Sequence, residues 1–329
     1  MRALVTGGAG FIGQRLLRRL AERGVACRAL VRPGRDTSAL DGLGIEWAAG
    51  DVTDPATLRG LAADVDVVYH LAAVGHVAAQ TEEDYQRFRR VNVEGTRNLL
   101  RACQGERIAR FVHFSSTAAM GTLRRERIDE TAPCQPATPY QKSKREGELA
   151  ALAAWRESGV PALALRPCMV YGPGGEGEFL KFCRLFARGL FPRVGRSPNL
   201  TPLVHVDDVV QAALLAGERG RPGEVYLVAG ERSYPLAELR AEILAALGLR
   251  RPYVYMPLWL ALAGAWALET TGRVAGRVPP VTRRNILSTT ASRVFDIGKA
   301  RAELGYRPAV TLAQGVRETV AWYRERGLV

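Results

Sequence analysis

The sequence predicts an α/β fold, a doubly wound parallel sheet with a smaller, partly interleaved C-terminal lobe. Three observations predict it. Short β-branched or aliphatic runs alternate with helical stretches through the first half, a glycine-spaced loop joins the first strand to the first helix, and a Pro/Gly cluster then breaks the rhythm.

In chain order, the first strand is read at Ala3 to Thr6, its helix at about Phe11 to Arg23, and the next strands at Cys27 to Val31 and Ile45 to Ala49. Strands follow at Val67 to Leu71 and Phe111 to Ser115, with a helix from about Tyr85 to Cys103 between them. A helix from about Tyr140 to Ser158 leads into a strand at Ala162 to Arg166, after which Pro167, Gly172, Pro173, Gly174 and Gly175 end the alternation. The reading divides the chain into residues 1–170 and 171–329, with 203–228 a candidate to return to the first part. One apolar run, Pro257 to Leu268 (PLWLALAGAWAL), precedes Glu269 and a basic, Pro-rich segment through Arg284. At roughly a dozen residues it is too short to span a bilayer, which needs about 17 to 25. The first reading is a buried helix of the small lobe; the alternative is a lipophilic wall or a membrane-surface contact through 257–268.

With 329 residues, 47% of them hydrophobic, the chain can bury a large core. The formal charge of +13 is carried by scattered arginines without a dense basic run and interleaved aromatics, which argues against a nucleic-acid partner. Cys27, Cys103, Cys134, Cys168 and Cys183 have no CxxC spacing, and Met1 leads directly into an apolar run, so reduced thiols in a cytoplasmic protein are expected. Four scattered histidines give no metal site.

The loop Thr6-Gly-Gly-Ala-Gly-Phe-Ile-Gly13 sits where a strand opens into a helix. Gly7 permits a tight turn, Gly10 lets backbone approach a pyrophosphate, and Gly13 lets the helix pack closely, while Phe11 and Ile12 begin a helix whose free N–H groups attract phosphate. At the end of the second strand, where a carboxylate would bind ribose hydroxyls, stands Val31, followed by Arg32 and Arg35. This favours NADP over NAD, the alternative being two arginines solvated in a loop. Asp51, with Val52 beside it, is a candidate for the adenine end, or else starts a helix.

Tyr140 and Lys144 stand four residues apart, hence on one helix face, so the ammonium is expected to lower the phenol's pKa and let Tyr140 exchange the proton of an alcohol. Ser116, at a strand end, is placed to hold the substrate oxygen. His113 and His70 are read as packed and hydrogen-bonded, Asp207 and Asp208 as a helix cap, Asp129 and Glu130 as a loop over the site, and Arg166 as an anchor. Trp155, Trp259, Trp266 and Trp322 are read as core or interface residues.

With TGGAGFIG, GDVTD (Gly50 to Asp54), HLAA (His70 to Ala73), NVEGT (Asn92 to Thr96), FSSTAAMG (Phe114 to Gly121), YQKSK, LRPCMVYGPG (Leu165 to Gly174), VHVDDV (Val204 to Val209) and LGYRP (Leu304 to Pro308), the chain resembles the extended short-chain dehydrogenase/reductases over nearly its whole length. The resemblance implies a Rossmann-type fold and cofactor contacts by Leu71, Ala72 and Ala73. It also implies a supporting role for Asn92, a place near the nicotinamide for Pro167 and Met169, and a homodimer formed by the helices around 85–103 and 140–158. Family members that dehydrate nucleotide sugars carry an Asp-Glu pair directly after the Ser116 position, where this chain has Thr117-Ala118. The tail looks more like the 3β-hydroxysteroid and sterol dehydrogenase branch. The reaction expected is therefore secondary alcohol/ketone interconversion on a lipophilic, sterol-like or acyl-derived small molecule. The alternatives are a nucleotide-sugar 4-epimerase with retained NAD and a non-catalytic nucleotide-binding protein.

Overall fold

The computed structural model describes residues 1–75, 81–123, 127–274 and 281–329. The chain opens with β1 (Arg2–Thr6), α1 (Phe11–Glu22), β2 (Ala26–Val31), β3 (Glu46–Ala49) and β4 (Val67–His70). Then come α2 (Glu82–Arg89), α3 (Gly95–Ala102), β5 (Arg110–Phe114), β6 (Arg127–Ile128), α4 (Pro139–Ser158) and β7 (Ala162–Pro167). The expected single helix from Tyr85 to Cys103 is thus two helices, joined by a widened π-helical turn at Arg90–Glu94 that carries Asn92. The remainder comprises β8 (Met169–Tyr171), α5 (Glu178–Ala187), β9 (Arg193–Val194), β10 (Leu200–His205), α6 (Val206–Arg219), β11 (Val225–Val228), β12 (Ser233–Pro235) and α7 (Leu236–Leu247). It ends with β13 (Tyr255–Met256), α8 (Leu258–Val274), α9 (Arg283–Thr290), β14 (Val294–Phe295) and α10 (Leu312–Glu325).

Seven strands form one parallel sheet in the order β11-β7-β5-β4-β1-β2-β3. Successive residues of a strand face opposite ways, so β1 sends Ala3 and Val5 to one layer, with Leu16, Leu17 and Leu20 of α1 and Val209 and Val210 of α6. Leu4 joins the other layer, with Leu99 and Leu100 of α3 and Ala151 and Ala154 of α4. Because β1 pairs β2 on one side and β4 on the other, the direction of winding reverses there, and a crevice opens beyond the strand ends.

The smaller lobe packs α5, α7 and α10 around Phe179, Phe186, Leu239, Val316 and Tyr323. It adds the short sheet β12-β10-β8 and the two-residue pairings of β13 with β9 and β14 with β6. The expectation of a buried helix at Pro257–Leu268 is corrected. Among the described residues of α8 only Ala261, Ala265 and Gly272 are buried, the two alanines against Ile286 of α9. Trp259 is 70% and Trp266 57% exposed, and Trp155 is also exposed, so these three are not core residues. An apolar run with no polar face gives no periodicity from which the buried side can be read. Residues 275–280 of the basic segment lie outside the described residues. Among the described residues, no helix is long and apolar enough to cross a membrane.

Candidate active site

The crevice starts at the glycine loop. Gly7 has φ +72°, and a Cβ on it would lie 2.8 Å from the Ala72 nitrogen; a Cβ on Gly13 would lie 2.2 Å from the Gly7 carbonyl oxygen. Only hydrogen fits at either place, so the loop lies flat against the chain leaving β4. The tight approach at Gly13 is to the turn itself, at Gly7 and Gly8, rather than to the sheet. No side chain caps the N-terminus of α1 at Gly10, and its first turn holds no acid, which leaves the positive end of the helix to an anion.

On one side of the loop a cavity of about 200 Å³ is lined by Gly7, Gly10, Val31, Arg32, Arg35, Asp51, Val52, Leu71, Ala72 and Ala73. Helix-starting belongs to Asp54, whose carboxylate accepts from the Ala56 N–H, and not to Asp51. Asp51 accepts from the Thr53 N–H at 2.8 Å and the Thr53 hydroxyl at 2.9 Å, within the cavity wall. A glycine cradle, an uncapped helix end and an apolar slot flanked by two guanidinium groups fit a dinucleotide.

On the other side a cavity of about 830 Å³ shares Gly7, Leu71 and Ala73 with the first and brings together Phe11, Ile12, Gly13, Ser116, Tyr140, Lys144, Pro167 and Met169. Ser116 sits just beyond β5, its hydroxyl accepting from the Ala118 N–H at 3.1 Å and hydrogen-bonded to the Tyr140 phenol. Helix α4 begins one residue before Tyr140, fixed by Thr138 and Gln141 in a reciprocal cap with Pro139 in the first turn. Phe88 packs edge-on against the Tyr140 ring.

The electrostatics depart from expectation. Burial pushes the Tyr140 phenol up to about 12, against the opposing pull of its hydrogen bond to Ser116. The Lys144 ammonium is buried and donates to the Phe114 carbonyl at 2.6 Å. Burial brings its pKa down to about 8, against the opposing pull of Glu148 one turn on. Glu148 resists its own burial through Arg166, which donates to both carboxylate oxygens at 2.8 and 2.7 Å. Arg166 is thereby an anchor, tying α4 to β7.

Asn92 lines neither cavity and works from behind. Its carbonyl accepts from the Val74 N–H at 2.8 Å, and its amide donates to the Ser143 hydroxyl, which donates to the Tyr140 carbonyl. One side chain therefore couples the chain beyond β4 to the first turn of α4. His70 bridges the hydroxyls of Thr6 and Thr96, and burial lowers its pKa to about 3. His113 is buried as expected, but neither ring nitrogen has a hydrogen-bond partner among the described residues. The cap expected of Asp207 and Asp208 is made by His205, whose ring accepts from the Asp207 N–H; Asp208 accepts from the Ala309 N–H at 2.8 Å. In the loop after β6, Glu130 accepts from the Leu227 N–H at 2.7 Å and so ties that loop to β11.

Sequence reasoning missed the far wall of the larger cavity: Leu123, Ile128, Thr201, Asn285, Arg293 and Phe295. Arg293 is the informative omission, a guanidinium whose burial works against its charge. In the sequence it is a lone arginine between a Ser/Thr-rich run and Val294-Phe295, with nothing to mark it as a wall residue.

The model of the family described as NAD dependent epimerase/dehydratase matches residues 3–229. The chain is 32% identical to a putative dihydroflavonol 4-reductase of Synechocystis sp., covering 99% of this chain and 95% of that protein. It is likewise 32% identical to sterol demethylase protein B of Methylococcus capsulatus, with both chains fully covered. Its fold superposes on the crystal structure of gox2253 with a TM-score of 0.84, at 32% identity and 99% coverage of each. It also superposes on DesIV, a dTDP-glucose 4,6-dehydratase from Streptomyces venezuelae solved with NAD bound, with a TM-score of 0.79 at 30% identity, covering 99% of this chain and 98% of that one. The chain therefore belongs to the NAD dependent epimerase/dehydratase family of extended short-chain dehydrogenase/reductases, enzymes that work with a nicotinamide cofactor.

Proposed function

We propose that the protein reduces a ketone to a secondary alcohol, or runs the reverse, on a lipophilic substrate of sterol-like or acyl-derived type, with Ser116, Tyr140 and Lys144 as its catalytic residues. The observation that carries this reading is the composition of the cavity around Tyr140. Met120, Leu123, Ile128, Met169, Val170 and Phe295 line the cavity onto which Tyr140 opens, and Thr117-Ala118 follow Ser116 where elimination chemistry needs acids.

A nicotinamide cofactor held by the glycine loop would supply or accept the hydride. Ser116 positions the substrate oxygen against Tyr140. A phenol raised to about 12 stays protonated at neutral pH, so in the reducing direction Tyr140 is ready to donate its proton to a developing alkoxide. Lys144, held on the Phe114 carbonyl, supplies the positive charge that eases formation of phenolate. Asn92 keeps the first turn of α4 in register. We assign the preferred cofactor as NADP, because Arg32 and Arg35 flank a slot in which Val31 replaces a carboxylate. The exposed Leu149 and Trp155 on α4 support a homodimer through this helix and α2/α3.

The test is to offer steroid ketones and long-chain β-keto substrates with NADPH or NADH and follow nicotinamide absorbance. Turnover with at least one class is expected, and silence across both would overturn the reading. Arg293 in the cavity wall favours a second reading, a nucleotide-sugar 4-epimerase, since a half-buried guanidinium suits a diphosphate. Purified protein that carries NAD and converts UDP-sugars would establish it instead.

A further inference from the structure

Large exposed apolar side chains normally occur singly, and a contiguous set marks an interaction surface. Among the described residues they concentrate in one stretch, with Val254 and Tyr255 in and before β13, Leu258, Trp259, Leu260, Trp266 and Leu268 on α8, and Leu287 on α9. From Leu258 to Leu268 the helix carries no polar side chain at all. Within this run only Ala261 and Ala265 are buried, with Leu262 half-buried beside them, and both tryptophans stand out from the lobe. This apolar part is about 16 Å long at the helical rise, half the thickness of a bilayer core.

The surroundings of the patch are basic. Arg193 stands in β9 in register with Tyr255 of β13, and Arg196 lines, with Tyr255, Leu258 and Trp259, an open cavity of about 620 Å³ at the start of α8. Both arginines are exposed, as are Arg250 and Arg251 just before β13, within a chain of net charge +13. A second copy of so cationic a surface would repel this one, whereas an anionic layer over hydrocarbon complements both features. Tryptophan is also the side chain suited to the boundary between headgroups and acyl chains.

We propose that α8 is a membrane-docking helix that lies in the interface of an anionic bilayer, with Trp259 and Trp266 entering the acyl region and Arg193 and Arg196 meeting lipid phosphates. The docking is reversible and does not depend on which reaction the enzyme performs. It sets the catalytic cavity beside the lipid, because α9, on which α8 packs, contributes Asn285 to that cavity.

The test is flotation of the full chain with vesicles of phosphatidylcholine alone or with about 30% phosphatidylserine. Anionic vesicles are expected to carry at least about tenfold more protein than neutral ones, and the preference is expected to fade with added salt. The double variant Trp259→Glu/Trp266→Glu should lose flotation while keeping wild-type circular dichroism and cofactor affinity. Arg193→Gln/Arg196→Gln should lose the anionic preference. The proposal is overturned if wild type fails to float on anionic vesicles or if the tryptophan variant floats equally well. It is also overturned if that variant turns an oligomer into monomers in light scattering, since the patch would then be a subunit interface.

Discussion

The glycine loop between β1 and α1 and the opposite wall of the catalytic cavity face one crevice but are held by different kinds of constraint. The loop is fixed atom by atom, since a single carbon added at Gly13 would meet a carbonyl oxygen at 2.2 Å. The opposite wall joins β6, β10, α9 and β14 and is held by a two-residue strand pairing, the largely exposed Arg127–Asp296 pair at 2.7 Å and a small apolar cluster in which Phe295 packs on Leu123 and Ile128. Exposed ion pairs contribute little, about 0 to 1 kcal/mol. A region fixed by identity holds an invariant piece of chemistry; one fixed only by shape can be rebuilt for another substrate.

The largest effect should separate chemistry from binding. Tyr140→Phe is expected to lower kcat by about 10³ or more while cofactor affinity, read by fluorescence titration, stays within about twofold. A smaller loss in kcat would move the proton transfer elsewhere in the crevice. Gly13→Ala should break the loop side, costing about 1 to 3 kcal/mol of stability in denaturant titrations and removing the extra thermal protection that cofactor gives wild type. Retained protection would mean that the loop tolerates a methyl group and the identity constraint is weaker than the geometry requires.

Arg32→Gln sharpens the cofactor assignment. The ratio of kcat/KM for NADPH over NADH should fall about tenfold, and an unchanged ratio would leave Arg32 as a solvated loop residue. The pH profile follows from Lys144. Its pKa in the folded protein is depressed to about 8, so the ammonium is present below that value and lost above it. Reduction should therefore fall as pH rises through about 8, with Tyr140 still protonated. For stability the sign is opposite, because between about 8 and the ordinary lysine value the unfolded chain binds more protons, and this group's contribution rises with pH. The smallest effect belongs to the far wall: Leu123→Ala should raise KM several-fold with kcat within about twofold, measured by initial rates.

The same contrast explains what could be read beforehand. Gly7, Gly13, Ser116, Tyr140 and Lys144 announce themselves because each is required by type at a fixed spacing along a strand, turn or helix. Asn92 needed the family resemblance, since its role runs through Ser143 and Val74 and appears only once α4 is folded against the π-helical turn. The wall residues Leu123, Thr201, Asn285 and Phe295 come from three stretches far apart in the chain, and no local pattern links them. Spacing along α4 put the amine and the phenol on one helix face, but it could not show that the ammonium is buried and held by the Phe114 carbonyl, a contact that exists only once α4 packs on β5. The misreading of α8 has a similar root, because hydrophobicity reports a preference for leaving water and says nothing about what replaces the water.

The most direct measurement is isotope transfer from NADPH deuterated at the nicotinamide C4, incubated with an accepted ketone and wild-type or Tyr140→Phe protein. The account predicts deuterium at the carbinol carbon with wild type and its near-complete loss with the variant under saturating cofactor. Equal labelling by both proteins would contradict it.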